Sequence, residues 1–247
     1  VFLPDDDEAT LATLTDQLDA AADDLGVTIV GGHTEYVSAL DRPLLSLTAF
    51  GRTDRYVPTG GAEPGDQLLV TKGAAIEGTG ILATDFAADA RAAGIEQATL
   101  DRAADFLDEI SVRPESRLLC SAATAMHDPT EGGLLTGCVE LAAASGVDLV
   151  VARESIPIRP ETMELCAAMG VDPLRIFGSG ALLATLPSDA VEHALDSLAE
   201  ADIEATVIGE VQEPSDDSAA GGSLMVDGNR ITDAPTDQLY PLWEDDA

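Results

Sequence analysis

The chain has 247 residues, of which 45% are apolar, and 46 acidic residues against 12 basic ones give a formal net charge of −34. The apolar content supports a packed core and excludes a disordered acidic tail, while so negative a surface disfavours nucleic acid and anionic membranes as partners. No run reaches the ~18 apolar residues of a membrane span. The three cysteines are scattered and form no CxxC pair, which argues against disulfides and a structural zinc site and favours a cytoplasmic location.

The distribution of charge indicates the salt concentration in which the protein works and says little about its catalytic chemistry. Acidic residues are spread along the whole chain, and Lys72 is the only lysine. Repulsion among like charges opposes compact folding in dilute buffer, but molar salt shortens the Debye length to about 3 Å. We therefore expect adaptation to the molar cytoplasmic salt of a halophile. The alternative is an acidic protein of ordinary cytosol.

The first predicted helix begins after Asp5. Acidic residues supply its cap and favourable first-turn charge, leucines recur at helical spacing, and Gly26 follows the last of them. Because apolar Val1–Leu3 precedes this helix without an initiating Met, we expect the sequence to start inside a longer protein. Two short strands are predicted next, Val27–Val30 and Pro43–Phe50.

A Pro- and Gly-rich stretch, Arg52–Gly65, predicts a linker or domain boundary. Beyond it, helical and strand patterns alternate without a regular βαβ order, which favours an α+β fold with helices on one face of a sheet. The predicted helices are Gly78–Ala90, Ile95–Ile110, Glu115–Met126, Gly133–Ala144, Glu161–Met169 and Asp189–Ala199. The predicted strands are Gln67–Thr71, Val147–Val151, Ala181–Leu186 and Ala205–Val211, followed by a polar loop at Glu213–Gly222 and a closing hairpin.

Gly31-Gly32-His33-Thr34-Glu35 is the first candidate site and directly follows a predicted buried strand. Paired glycines let a backbone approach a ligand closely. The Thr34 hydroxyl and the Glu35 carboxylate are oxygen ligands that suit Mg²⁺ or its bound waters. A tight turn with incidental polar residues explains the segment equally well.

Lys72-Gly73-Ala74-Ala75-Ile76-Glu77-Gly78-Thr79-Gly80 is the second candidate site, at the end of a predicted strand. Lys72 precedes the glycines instead of following them, so the spacing of a P-loop is not met. A lone lysine here is either kept near an anion or is a surface accident. A weaker segment, Phe177-Gly178-Ser179-Gly180, is interpreted as a structural turn entering a strand.

His127-Asp128-Pro129-Thr130-Glu131-Gly132-Gly133 is the third candidate site and opens a predicted helix. Free N–H groups at a glycine-lined helix start bind anions, and the helix dipole adds to the attraction. Capping by Asp128 or Thr130 is the simpler explanation, but it leaves two adjacent glycines unexplained. We therefore favour contact with phosphate or substrate, with His127 as a candidate proton carrier. Cys138, on the apolar face of this helix, is expected in the core.

Together these segments resemble the AIR synthase-related (PurM-like) superfamily, which includes the HypE-like hydrogenase-maturation proteins and selenophosphate synthetase. Ile156-Pro157-Ile158, Gly170-Val171-Asp172-Pro173 and Gly178-Ser179-Gly180-Ala181 follow in the order seen in that family. The resemblance implies a two-domain PurM-like α+β fold with mixed or antiparallel sheets. By this resemblance, residues 1–56 form the later part of the ATP-binding domain and residues 57–247 form the companion domain.

The resemblance also implies an ATP-dependent enzyme that phosphorylates an amide, carbonyl or selenide group of a small-molecule substrate and works as a homodimer. ATP and Mg²⁺ are the implied cofactors. His127 and Asp128 are the expected catalytic residues, and Glu35 is the expected metal ligand. The expected nucleotide contacts are Gly31, Gly32, His33, Thr34, Glu35, Lys72, Gly78, Thr130, Gly132 and Gly133.

Departures from the family pattern leave the individual member open. His33 stands where the dehydratase has an aspartate, and the C-terminal end has no cysteine to carry a group being dehydrated. The acidic Mg-ATP loop of the family is not found in this sequence, so we do not expect the chain to be catalytically complete. The alternative function is a dimeric module that binds nucleotide without turning it over.

Overall fold

The computed structural model describes residues 1–215 and 221–245, so part of the predicted loop at 213–222 lies outside the described residues. The chain divides into two compact units, Val1–Asp54 and Arg55–Ala247. The first unit holds helix α1 (Glu8–Leu25) and a parallel pair of two-residue strands, β1 (Phe2–Leu3) and β2 (Glu35–Tyr36).

Helix α1 forms where its sequence predicts it. The Asp7 carboxylate accepts a hydrogen bond from the Ala9 N–H at 2.9 Å and one from the Thr10 hydroxyl at 2.6 Å, which together cap the helix start. The Thr10 hydrogen bond, followed by the backbone ones, holds the pKa of Asp7 below its usual value. At the other end Gly26 adopts the left-handed conformation, with a φ of 66°, that stops the helix.

The two strands predicted in the first unit do not form. Val27–Val30 has no strand structure, and in Pro43–Phe50 a single bridge between Leu44 and Phe2 is the one strand-like pairing among the described residues. The side chains of both segments are largely exposed, Val30 at 75% and Phe50 at 84%. Apolar, β-branched composition gives a segment strand propensity, but a strand exists only where a ladder partner satisfies its backbone.

The second unit is built on a seven-stranded sheet with the order β4-β6-β3-β7-β5-β8-β9. Its pairings are antiparallel except for β5 with β8, which are parallel. The α+β class with a mostly antiparallel sheet is thereby confirmed, as is the closing hairpin. The strands are β3 (Gln67–Thr71), β4 (Ala125–His127), β5 (Asp148–Val151), β6 (Leu183–Leu186), β7 (Ala205–Gln212), β8 (Ser223–Val226) and β9 (Asn229–Ile231).

Within the described residues this unit has eight helices. They are α2 (Ile76–Thr84), α3 (Ala87–Ala92), α4 (Gln97–Ala104), α5 (Arg113–Leu119), α6 (Gly133–Ser145), α7 (Pro160–Met169), α8 (Val191–Glu200) and α9 (Tyr240–Asp245), with short 3₁₀ turns at Asp105–Glu109 and Arg153–Ser155. Of these, α6, α5 and α8 pack on the sheet, while α2, α3, α4 and α7 share a separate apolar cluster.

Two predicted helices differ from the structure. The helix predicted at Gly78–Ala90 is divided into α2 and α3 because Phe86 leaves the helical conformation and is buried, its ring centroid 5.4 Å from that of Trp243. The helix predicted at Glu115–Met126 ends at Leu119, and its last part is strand β4. That segment pairs with β6, so tertiary hydrogen bonding overrides its alanine-rich helix propensity.

Helices cover both faces of the sheet, whereas the sequence predicted helices on one face. Alternate residues of β3 point to opposite sides, so Leu68 and Val70 pack with α6 while Leu69 packs with α5 and α8. Cys138 of α6 is buried in the first of these clusters, as expected, and burial raises the pKa of its thiol to about 12. None of the described helices combines the length and the apolar character that a membrane crossing requires.

Salt should stabilise this protein strongly if the acidic composition is an adaptation to salt. We expect the melting temperature to rise by at least about 5 °C between dilute buffer and molar KCl, because screening weakens repulsion among the excess carboxylates. Thermal unfolding followed by circular dichroism over a KCl series measures this. A melting temperature that does not change with KCl would favour the ordinary-cytosol alternative.

Candidate functional site

The Gly31–Glu35 segment belongs to the first unit and is exposed. Its His33 Nε2 lies 3.1 Å from Glu35 Oε2, and both side chains are largely in solvent. The backbone nitrogen of Val1 donates to the His33 carbonyl at 2.8 Å, so the segment runs beside β1. A Cβ added at Gly31 or Gly32 would meet no atom within 4 Å. Close backbone packing among the described residues therefore does not explain these glycines.

Three glycine-bearing loops of the second unit converge through backbone hydrogen bonds. The Gly178 N–H donates to the Thr130 carbonyl at 2.9 Å, and the Gly78 N–H donates to the Phe177 carbonyl at 3.0 Å. The Glu77 N–H donates to the Ser179 carbonyl at 3.0 Å. The segments 72–80, 128–133 and 177–180, which are far apart in sequence, thus form one glycine-loop cluster. The Phe177–Gly180 turn, interpreted from sequence as structural, connects the other two.

The two glycines at the start of α6 are required by conformation and by space. Gly132 and Gly133 both have positive φ, 75° and 69°, which glycine adopts without strain. A Cβ on Gly132 would lie 2.5 Å from the Pro235 carbonyl oxygen, and one on Gly133 would lie 2.6 Å from the Ile176 carbonyl oxygen. Close packing therefore accounts for both glycines, whether or not an anion binds here.

Four polar side chains of the cluster have no hydrogen-bond partner in the described part of the chain: the carboxylates of Glu77 and Asp128 and the hydroxyls of Thr130 and Ser179. Desolvation raises the pKa of Asp128, and the charge of Glu77 raises it further, while His127 and Lys72 act in the opposite direction. These groups therefore lie within electrostatic reach of one another. Unpartnered carboxylates beside a free hydroxyl are able to bind a cation, accept a proton or donate to a phosphate oxygen.

Lys72 is held by contacts inside the protein. Its ammonium lies 2.7 Å from Glu115 Oε1 and donates to the carbonyls of Glu109 and Ser111 at 2.8 and 2.9 Å. The side chains of Lys72 and Glu115 are 12% and 2% exposed. An ammonium has three N–H donors, and all three have acceptors here. The charge of Lys72 reaches Asp128, but its donors are committed to the connection between the 3₁₀ turn and α5.

His127, on edge strand β4, is also held at both ring nitrogens. Its Nε2 lies 2.8 Å from Glu140 Oε2, and its Nδ1 lies 3.2 Å from the Thr59 hydroxyl. The Glu140 carboxylate only accepts, so Nε2 carries a proton, while the Thr59 hydroxyl is able either to donate to Nδ1 or to accept from it. His127 therefore connects α6 to the segment before β3 and lies beside the free Asp128.

Asp237, which the sequence did not indicate, contacts the glycine-loop cluster at Gly132. Its carboxylate, 3% exposed, accepts the Gly132 N–H at 2.7 Å and the Leu239 N–H at 2.9 Å. Burial raises the pKa of Asp237 despite these hydrogen bonds, and Glu131 and Glu77 raise it further. The N–H group at Gly132 that we expected to contact phosphate is thus occupied by a carboxylate of the chain itself.

Family profiles match both units of the chain. The profile of the AIR synthase related protein C-terminal domain matches residues 63–221, and that of the N-terminal domain matches residues 1–53. The chain belongs to the AIR synthase-related family. The resemblance drawn from the glycine-bearing segments is therefore confirmed.

Relatives of this AIR synthase-related chain fall into more than one activity class. Carbamoyl dehydratase HypE of Azotobacter vinelandii is 30% identical over 239 residues, covering 89% of this chain and 65% of that protein. Selenide, water dikinase 2 of Peptoclostridium acidaminophilum is 30% identical over 175 residues, covering 70% of this chain and 48% of that protein. The chain therefore spans about half to two thirds of the length of these relatives.

A solved structure supports the PurM-like fold of the AIR synthase-related chain. The crystal structure of hydrogenase maturation protein HypE in complex with ATP matches with a TM-score of 0.65 at 23% identity, covering 93% of this chain and 70% of that one. The fold class and architecture predicted from the sequence are confirmed at this level.

Two candidate functional residues were not singled out by sequence reasoning, Glu77 in the glycine-loop cluster and Asp237, which contacts it. Glu77 lies inside the Lys72–Gly80 segment, and its position in the first turn of α2 was an available signal. Asp237 is 105 residues from Gly132, its partner, so no local pattern connects the two. The one indirect signal is a helix start at Gly132 that has no capping side chain of its own.

Proposed function

We propose that this AIR synthase-related chain acts in an ATP-using enzyme that phosphorylates, and so activates, an amide- or carbonyl-type group of a small molecule, as a homodimer. The observation that carries the proposal is the group of unpartnered side chains, Glu77, Asp128 and Thr130, at the convergence of three glycine loops. The carbamoyl dehydratase among the relatives and the HypE structure in complex with ATP support nucleotide use and this substrate class.

The second unit would supply the groups that act on the transferring phosphoryl group. The Thr130 hydroxyl would donate to an oxygen that gains charge in the transition state, since fixed donors of this kind supply most of the stabilisation in phosphoryl transfer. Asp128 would accept the proton that a substrate amide loses, and desolvation, which raises the pKa of Asp128, makes it a stronger base than an ordinary aspartate. His127 would keep the Asp128 backbone in place through its two hydrogen bonds.

Nucleotide contacts of the first unit would come from the Gly31–Glu35 segment, whose backbone is open to an approaching ligand. Mg²⁺, when bound, would neutralise phosphate charge, and Glu35 is the carboxylate of the first unit that would serve as its ligand. Within residues 1–215 and 221–245 no three acidic, His or Cys side chains are grouped as a complete metal site. A site with so few protein ligands fits Mg²⁺, which takes most of its ligands from phosphate and water.

Removing the free polar groups should abolish most of the activity without unfolding the protein. For Asp128→Asn combined with Thr130→Val, we expect ADP release from Mg-ATP, with a panel of carbamoyl and ribonucleotide substrates, to slow at least about tenfold, the scale of one lost transition-state contact. Both side chains are exposed, so the free energy of unfolding should change by less than about 1 kcal/mol.

Asp233→Asn with Thr232→Val, a pair of exposed residues after β9, is the matched control and should leave ADP release unchanged. Equal turnover by the test variant and the wild type would remove Asp128 and Thr130 from the site. Calorimetry of ATP with the full-length protein decides the alternative: saturable binding without ADP formation across the panel would identify a non-catalytic nucleotide-binding module.

A further inference from the structure

The C-terminal segment of the described chain is attached to the start of α6 by several independent contacts. The Thr136 hydroxyl donates to the Pro235 carbonyl at 3.0 Å, and the Gly132 N–H donates to Asp237 Oδ2 at 2.7 Å. A hydrogen bond to Glu131 raises the pKa of the Tyr240 hydroxyl, which places this side chain beside the same turn. One segment thus contacts the turn at Glu131, at Gly132 and in the first turn of α6.

The buried carboxylate of Asp237 takes the place of an N-cap side chain at the start of α6. Burying a carboxylate costs free energy, and a helix start is ordinarily capped by a Ser, Thr, Asp or Asn at the N-cap position itself. Here the N-cap is Gly132, whose positive φ and lack of room for a Cβ exclude a side chain. The carboxylate of Asp237, distant in sequence, supplies the acceptor that the N-cap residue cannot.

The opposite side of the same turn is held by the Thr130 carbonyl. This oxygen accepts the Gly133 N–H at 3.1 Å and the Gly178 N–H at 2.9 Å. The turn from Thr130 to Gly133 is therefore fixed on both sides, by carbonyl contacts on one and by Asp237 on the other. The side chains of Asp128 and Thr130, which have no hydrogen bonds of their own, depend on this backbone for their position.

We propose that Asp237 is a positioning residue for the phosphoryl-transfer site: through the Gly132 N–H it fixes the turn that presents Asp128 and Thr130. This inference rests on the proposed function. Displacement of a reacting group by about 1 Å is enough to lower turnover a hundredfold, so a loosened turn lowers kcat. Substrate and nucleotide binding, which draw on other residues as well, change far less.

Asp237→Asn tests the inference, because it keeps the shape of the side chain and removes its charge. We expect kcat for ADP release to fall about tenfold, with the KM for Mg-ATP within about twofold of the wild-type value, since hydrogen bonds to charged groups are the stronger ones. Amide hydrogen exchange at Gly132 should quicken about tenfold in the same variant.

Asp7→Asn makes the same chemical change at another cap, that of α1, and is the matched control for general loss of stability. It should leave both kcat and exchange at Gly132 as in the wild type. Unchanged kcat and unchanged Gly132 exchange in Asp237→Asn would overturn the inference, as would a rise in KM with kcat unaltered. The two failures differ: wild-type protein that releases no ADP at all overturns the proposed function, whereas full turnover by Asp237→Asn overturns only the role of Asp237.

Discussion

Replacing Lys72 with Met is expected to lower the free energy of unfolding by about 3–5 kcal/mol, the usual cost of removing one partner of a buried ion pair. The Glu115 side chain is only 2% exposed, so its carboxylate would stay buried without its cation. Its Oε2 already has no hydrogen-bond partner among the described residues, so the ion pair with Lys72 through Oε1 is its main compensation. The carbonyls of Glu109 and Ser111 would lose a donor in the same substitution.

Chemical denaturation in molar KCl measures this effect, and two further variants make the result specific. Lys72→Met with Glu115→Leu removes both charges and should recover most of the lost stability, because a buried pair replaced by apolar side chains is often neutral. Arg102→Met breaks the Arg102–Glu161 ion pair, in which Arg102 is 57% exposed, and should cost far less stability than Lys72→Met. Equal costs for Lys72→Met and Arg102→Met would show that Lys72 is not a buried structural cation.

Sequence reasoning succeeded where local signals and long-range packing agree. Helix α1 has its cap at Asp7 and its stop at Gly26, both of which are properties of the local sequence. Strand β3 follows a clear Pro- and Gly-rich boundary and is buried on both faces, so a continuous apolar run predicted it. The glycine-bearing segments also identified the correct family, and at Gly132 and Gly133 glycine is needed because φ is positive and a Cβ would have no room.

The same reasoning failed where pairing partners decide the structure. Val27–Val30 has the composition of a strand but no ladder among the described residues, and Ala125–His127 has a helix-like composition but pairs with β6. Neither outcome is encoded within a few residues of the segment. For the site, the sequence located the Asp128–Gly133 turn but could not show that Lys72 has used all its donors or that Asp237 occupies the Gly132 N–H. Both facts depend on contacts over long separations.

Gly133→Ala is expected to destabilise the protein by about 3 kcal/mol or more, from two costs that add. A residue with a Cβ at a φ of 69° loses about 1–2 kcal/mol relative to glycine. The new Cβ would also lie 2.6 Å from the Ile176 carbonyl oxygen and 2.7 Å from that of Leu174, and such overpacking costs a further ~1–3 kcal/mol. Backbone carbonyls cannot rotate away as a flexible side chain does, so the loop containing them has to shift.

Gly146→Ala, at the other end of the same helix, separates the two costs. Gly146 has a φ of 68°, almost the value at Gly133, and a Cβ added there would meet no atom within 4 Å. This variant should lose only the conformational ~1–2 kcal/mol, and its ADP release should match that of the wild type. The difference between the two unfolding free energies therefore measures how closely the Ile176 loop packs against the start of α6. A difference near zero would mean that the Ile176 loop does not pack against the start of α6. The group formed by Glu77, Asp128 and Thr130 would then lose the backbone convergence on which the proposed phosphoryl-transfer site depends.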